Sequence, residues 1–208
     1  TLQCLANYHR SKFDIPVLAI TGSNGKTTTK ELLASVLVQK FDLLFTGGNL
    51  NNHIGVPLTL LGLRENHDFA LIEMGANKPG DIQELCEIAD PTHGLITNIG
   101  LAHIEGFGSK DGVIQTKSEM YRYVIKKEGV LLVNNNEPYL LPLTENYPHC
   151  IEYGKGSQFD FKLKANDSKL EFSIEGNLIK TNLFGKYNAN NALSAYVVGK
   201  EFAVETSK

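Results

Sequence analysis

The chain has 208 residues, 42% hydrophobic and 21% charged, enough for one large globular domain with a real core or for one domain and a small appendage. A net charge of -3 with no run of Lys and Arg argues against a nucleic-acid surface, and the tight basic pair Lys126-Lys127 reads as a solvated helix end. No apolar run approaches the roughly 20 residues that span a bilayer and no signal peptide is visible, so membrane insertion is not expected, while the 3 cysteines, Cys4, Cys86 and Cys150, lack metal-ligand spacing and suit a reducing cytoplasm.

The sequence starts without methionine and reads as a piece of a longer chain. Residues 1–14 suggest a helix tail and a connector, with no chemistry of their own. Val17 to Ile20 is a buried strand that breaks into Thr21-Gly22-Ser23-Asn24-Gly25-Lys26-Thr27-Thr28. Glycines there let backbone N–H groups crowd round phosphate oxygens, and a helix N-terminus favours their negative charge. Lys26 neutralises the outer phosphates, and the Thr27 hydroxyl is available to Mg²⁺. A full P-loop would carry a further glycine where this chain has Ile20, so the motif is the shorter Gly-x-x-Gly-Lys-Thr-Thr. The helix that follows, Thr27 to Lys40, puts Leu32, Leu33, Val36 and Leu37 on one apolar stripe, with Lys30, Glu31 and Gln39 elsewhere.

A second strand, Leu43 to Phe45, runs into Gly48-Asn49-Leu50-Asn51-Asn52-His53-Ile54-Gly55, whose asparagines and glycines are turn chemistry. The third, Phe69 to Ile72, ends on Glu73 and turns through Met74-Gly75-Ala76-Asn77 into a helix from about Asp81 to Ala89. An acid at the carboxyl end of a buried strand beside a phosphate loop is placed to hold Mg²⁺; without that loop it would read first as a solvated strand end. The fourth strand, Gly94 to Thr97, opens into Asn98-Ile99-Gly100-Leu101-Ala102-His103, and the fifth, Val130 to Val133, opens into three asparagines.

Short apolar strands alternating with helices predict an α/β fold: a mostly parallel sheet of P-loop type flanked by helices. Ligands bind beyond the carboxyl ends of such strands, where every polar cluster named above lies. From about residue 150 to 184 apolar residues alternate with polar ones, as at Phe159, Phe161, Leu163 and at Leu170, Phe172, Ile174. This predicts a small antiparallel β subdomain near the C-terminus. A last helix begins around Tyr187-Asn188-Ala189-Asn190-Asn191, with Leu193, Val197 and Val198 as its apolar side.

Four ordered motifs, the glycine loop, the asparagine loop to Pro57, Glu73-Met74-Gly75-Ala76-Asn77 and Asn98 to His103, together resemble the central ATPase domain of the Mur ligases. Within them the resemblance is nearest the branch that joins D-alanyl-D-alanine to UDP-N-acetylmuramoyl-tripeptide; Ile104-Glu105-Gly106-Phe107-Gly108 points the same way. The resemblance implies an ATP-dependent amide ligase of peptidoglycan precursor synthesis in the bacterial cytoplasm, working through an acyl phosphate. By position it implies that Gly22, Ser23, Asn24, Gly25, Lys26, Thr27 and Thr28 bind ATP phosphates. Thr27 and Glu73 would hold one Mg²⁺ and His103 a second, although a histidine in that setting, taken by itself, is more often structural. Lys117 corresponds to a lysine carried as a carbamate in many family members, the alternative being an exposed helical lysine. Asn188 and Asn191 match an adenine site, with Tyr187 where a histidine is usual. Asn49, Asn51 and Asn52 would face the UDP-sugar-peptide, for which amides offer donors and acceptors.

The resemblance further implies an N-terminal domain for the uridine nucleotide and a C-terminal domain that brings the amine, neither within these residues. Alone, residues 15–208 are expected to fold and bind nucleotide without ligating. Two rivals remain: a sibling Mur ligase or folylpolyglutamate synthetase on the same domain, and a nucleotide-binding module that ligates nothing.

Overall fold

The computed structural model describes residues 1–100, 107–164 and 169–205. Five strands follow one another as read: β1 Val17–Thr21, β2 Leu43–Phe45, β3 Phe69–Glu73, β4 His93–Ile96 and β5 Val130–Asn134. A sixth, β6 Cys150–Tyr153, completes a sheet in the order β2-β3-β1-β4-β5-β6, every neighbour parallel. The antiparallel sheet is smaller than expected and starts later: β7 Lys162–Leu163, β8 Glu171–Ile174 and β9 Asn177–Lys180. Cys150–Tyr153, which opens the stretch read as the meander, pairs instead with β5, its backbone extending a sheet whose edge would otherwise be bare.

Residues 1–14, read as a tail and connector, carry the helix α1, Leu2–Arg10. Among the described residues the further helices are α2 Lys26–Leu37, α3 Gly55–Leu60, α4 Asp81–Ala89, α5 Lys110–Lys126, α6 Leu141–Thr144 and α7 Ala189–Glu201, with a 3₁₀ turn at Lys186–Asn188. Alternate residues of the central strands enter two separate cores. Val17, Ala19, Ala70 and Ile72 face α1, α3, α4 and α5. Leu18, Ile20, Phe69 and Leu71 face α2, α7 and the inner side of the antiparallel sheet, Phe172 and Ile174. Burial on both faces is why these strands read as unbroken apolar runs. At about 1.5–3 kcal/mol for each large side chain, the two layers fix β1 and β3 as the rigid floor of whatever lies at their ends.

One residue departs from its expected side. Lys30, read as off the packed face of α2, has a side chain with no exposed surface. Its partners come from β3 and the loop after β2, which a helical periodicity cannot show. Among the described residues no helix is long and apolar enough to cross a membrane, and Cys4, Cys86 and Cys150 are free thiols.

Candidate functional site

β1 lies between β3 and β4, and the chain leaves it towards β2 and later crosses to β4, so the loop after β1 stands where the strand order reverses. The register sets Ile20 beside Glu73 and Thr21 beside Ile96, which brings three strand ends together. The loop is tied down on the β4 side. Thr97 Oγ1 and Asn98 Nδ2 both donate to the Asn24 carbonyl, at 2.7 and 2.8 Å, and the Asn24 amide donates to Asn98 Oδ1 at 3.0 Å. The Ser23 hydroxyl and the Gly100 backbone bond each other in both directions.

Gly22 and Gly25 adopt φ of 145° and 77°. A Cβ on Gly22 would come within 2.0 Å of Thr97 Oγ1, and one on Gly25 within 2.9 Å of Asn191 Oδ1. Gly22→Ala is therefore expected to displace Thr97 from its bond to Asn24 and to weaken both stability and nucleotide binding by about 1–3 kcal/mol. Thermal melts beside an ATP titration check it; an unchanged affinity would contradict the close fit.

Lys26 Nζ donates back to the carbonyls of Gly22 at 2.8 Å and Ser23 at 3.2 Å. Burial lowers its pKa, and the Glu73 charge works the other way. Glu73, almost wholly buried, ends β3 on the far side of the loop. Its Oε1 accepts from Asn51 Nδ2 at 2.8 Å and more loosely from the Thr27 hydroxyl at 3.4 Å. Its Oε2 is buried with no hydrogen-bond partner among the described residues. That oxygen faces the Lys30 ammonium at 3.9 Å, while its twin Oε1, with the Thr27 hydroxyl beside it, is a hard-oxygen donor set that fits Mg²⁺. The described residues hold no group of three or more His, Cys, Asp or Glu that could cage a metal.

Lys117 is buried, not the exposed helical lysine that was its alternative reading. Its ammonium lies 5.8 Å from the Phe107 ring centre, a cation–π contact. Burial, and secondly the charge of Lys26, depress its pKa to about 8; Asp81 and Glu119 oppose the shift. Glu119, two residues further along α5, reaches across to α4, accepting from the amides of Gly80 at 2.8 Å and Gln83 at 2.9 Å. Asp81 turns back to the amides of Asn77 and Lys78. These two carboxylates fasten α4 to the Glu73–Asn77 turn and to the helix bearing Lys117. Neither stood out in the sequence, although Glu119 is two residues from Lys117.

A cavity of about 230 Å³ joins these parts, lined among others by Gly22, Lys26, Asn51, Asn52, Asn77 and Lys117. Two ammonium groups converge there with loop backbone, the composition of an anion site. The asparagines divide. Asn51 is engaged with Glu73, and its carbonyl takes the Gly75 amide at 2.7 Å. Asn52 Oδ1 accepts from Ile54 and Gly55 and turns the chain into α3. Asn49 is exposed and lies outside the cavity lining. Asn188 and Asn191 bond each other at 3.0 Å, and Asn191 packs on Gly25, so they adjoin the phosphate loop rather than this cavity. Tyr187 is exposed. His103 lies outside the described residues.

Comparison with known proteins agrees with this layout. Residues 20–199 match the family described as the Mur ligase middle domain. A UDP-N-acetylmuramoyl-tripeptide–D-alanyl-D-alanine ligase of Bacillus subtilis is 37% identical over 98% of this chain, which spans 45% of that protein. A crystal structure of MurF from Acinetobacter baumannii superposes with a TM-score of 0.91 at 33% identity, over 99% of this chain and 47% of that one. MurF ligase from Thermotoga maritima in complex with ADP gives a TM-score of 0.83 at 29% identity, over 98% and 49%. The chain thus spans about half the length of the curated relatives it matches. With the match covering most of its length, the glycine loop and Lys117 on one cavity, and Glu73 bonded to Asn51 of its lining, this chain belongs to the Mur ligase family as its middle domain.

Proposed function

We propose that this chain is the ATP-binding unit of an amide ligase that joins D-alanyl-D-alanine to UDP-N-acetylmuramoyl-tripeptide in the bacterial cytoplasm, a step of peptidoglycan precursor synthesis. The observation that carries the reading is the meeting of Lys26, Lys117 and the asparagine loop on one polar cavity, with the buried Glu73 carboxylate held behind it by Asn51. A nucleotide switch needs the first of these and not the others. The names of the relatives favour the D-alanyl-D-alanine branch over its siblings.

In the proposed reaction a carboxylate oxygen of the UDP-linked peptide attacks the γ-phosphorus of ATP, and ADP departs with the electrons of the broken P–O bond. The amine of the dipeptide then adds to the acyl phosphate carbon. Inorganic phosphate leaves with the original carboxylate oxygen, and the amine loses a proton to solvent. Both partners of the first step are anionic, so the task of the protein is positioning and charge neutralisation. Lys26, released from the Gly22 and Ser23 carbonyls, would meet the outer phosphates, while the amides from Ser23 to Thr28 line them and Gly25 leaves space for close approach. Thr27 and Glu73 would hold Mg²⁺, with His103 at a second ion; bound there, the metal would offset charge on the phosphate oxygens. Lys117, with its lowered pKa, is suited to stand as the neutral amine that takes up CO₂ as a carbamate. Asn188 and Asn191 would border the adenine, and Asn49, Asn51 and Asn52 the sugar-peptide. Uridine and dipeptide binding fall to further domains of the ligase, whose relatives are about twice as long.

The test uses the full-length ligase with ATP, UDP-muramoyl-tripeptide and D-alanyl-D-alanine. Amide product of the correct mass with equimolar phosphate is expected. Product formed only with a single amino acid in place of the dipeptide would move the assignment to a sibling, and nucleotide binding without any product would favour the switch.

A further inference from the structure

Lys30 stands four residues beyond Lys26, one turn along the same side of α2. A wholly enclosed ammonium is costly unless acceptors and opposite charge surround it. Its Nζ donates to the Gly48 carbonyl at 3.0 Å and lies 3.1 Å from Glu31 Oε1 and 3.9 Å from Glu73 Oε2. Glu31 is largely exposed, so its pairing is screened and adds little. The contacts with Gly48 and the buried Glu73 matter more, and they belong to separate pieces: the root of the asparagine loop and the end of β3.

These contacts close a ring. From Gly48 the loop runs to Asn51, whose side chain donates to Glu73 Oε1 and whose carbonyl accepts from Gly75. From Glu73 the other carboxylate oxygen, which has no hydrogen-bond partner, faces the Lys30 ammonium, and Lys30 returns to Gly48. The loop has little apolar material to hold it: Gly47, Gly48 and Asn49 are exposed, and Leu50 is 44% exposed. Polar ties therefore define its shape.

We propose that Lys30 is a positioning residue that clasps the asparagine loop to the phosphate side of the site, setting the loop and the Glu73 carboxylate together before substrate arrives. Lys30 does not line the cavity and acts through Gly48 and Glu73. The clasp stands on geometry alone; its effect on the UDP-linked substrate rests on the ligase reading.

The experiment compares the full-length ligase with its Lys30→Met variant, which keeps an unbranched stem and removes the charge. Hydrogen exchange is followed without metal, nucleotide or substrate at the amides of Leu50 and Gly75, bonded to the Gly47 and Asn51 carbonyls. Lys30→Met is expected to speed exchange at both by about tenfold or more, the weight of a charge-assisted bond, while β1 and β5 amides hold their rates. KM for the UDP-linked peptide should rise by a similar factor, with Lys30→Arg recovering part of it. Unchanged exchange at Leu50 and Gly75, or acceleration that β1 and β5 share equally, would overturn the clasp. Where Lys30→Met fails to fold, Glu73→Gln removes the opposing charge without altering shape, and the same local acceleration is required. A wild-type protein that makes no amide while Lys30→Met still frees the loop would refute the ligase reading and leave the clasp intact.

Discussion

Lys26→Ala is expected to slow ATP-dependent phosphate release by about 10²–10³-fold, the usual loss when one preorganised charge is removed from a transition state. Phosphoryl transfer between two anions leaves little for the protein beyond position and charge, and in the proposed reaction Lys26 is the charge that the loop would deliver. It is delivered from a holding position. In this structure the ammonium is satisfied by the Gly22 and Ser23 carbonyls, so on the proposed reading nucleotide binding would exchange those bonds for phosphate contacts instead of ordering a free side chain. Truncation would remove two bonds at a partly exposed position, worth about 1 kcal/mol each, so the fold should persist. Parallel melts and rate measurements separate the two effects. A variant that keeps its rate within tenfold would show that the loop lysine is not the principal charge.

Lys117→Met is expected to act in opposite directions on stability and activity. The folded pKa of Lys117 is depressed from 10.5 to about 8, mainly by burial, so the fold disfavours its charged form. The unfolded chain then binds more protons between about pH 8 and 10.5. Stability contributed by this group rises with pH through that window and is constant, at its most unfavourable, below it. At pH 7 the unmodified lysine thus costs stability of the order of 3 kcal/mol, at 1.36 kcal/mol per unit. Methionine fills similar space without charge and should raise the melting temperature at pH 7 by several degrees, the gain shrinking towards pH 10.5. Ligation should be lost together with any carbamate. Carbon-13 bicarbonate gives the companion measurement: a carbamate resonance in the wild-type protein that Lys117→Met lacks. Equal melting temperatures at pH 7 in CO₂-free buffer would contradict the burial argument.

The phosphate loop was legible because its chemistry is local: glycine, lysine and threonine must be adjacent to wrap one anion, and the strand before them is apolar on both sides. Glu73 was legible for a related reason, as the last residue of a run that ends at the ligand side of a parallel sheet. Lys30 was not, since a lysine on a helix looks solvated until the partners that bury it are known, and these come from β3 and from a loop with no apolar pattern. Cys150–Tyr153 misled differently. A short edge strand next to real alternation takes on the texture of its neighbours, and only its pairing with β5 shows that it belongs to the parallel sheet. The asparagines of the second loop were read alike, whereas Asn51 serves Glu73, Asn52 turns the chain into α3 and Asn49 stays outside the cavity. Composition cannot rank them, because each has the same donors and acceptors.

The central claim is that this domain drives amide formation by placing a carboxylate oxygen on the γ-phosphorus. It is tested most directly by supplying the full-length ligase with UDP-muramoyl-tripeptide whose reacting carboxylate carries ¹⁸O and weighing the phosphate released. The account predicts one ¹⁸O per phosphate, since the acyl phosphate breaks at the carbon–oxygen bond. Amide product accompanied by phosphate free of the label would contradict it.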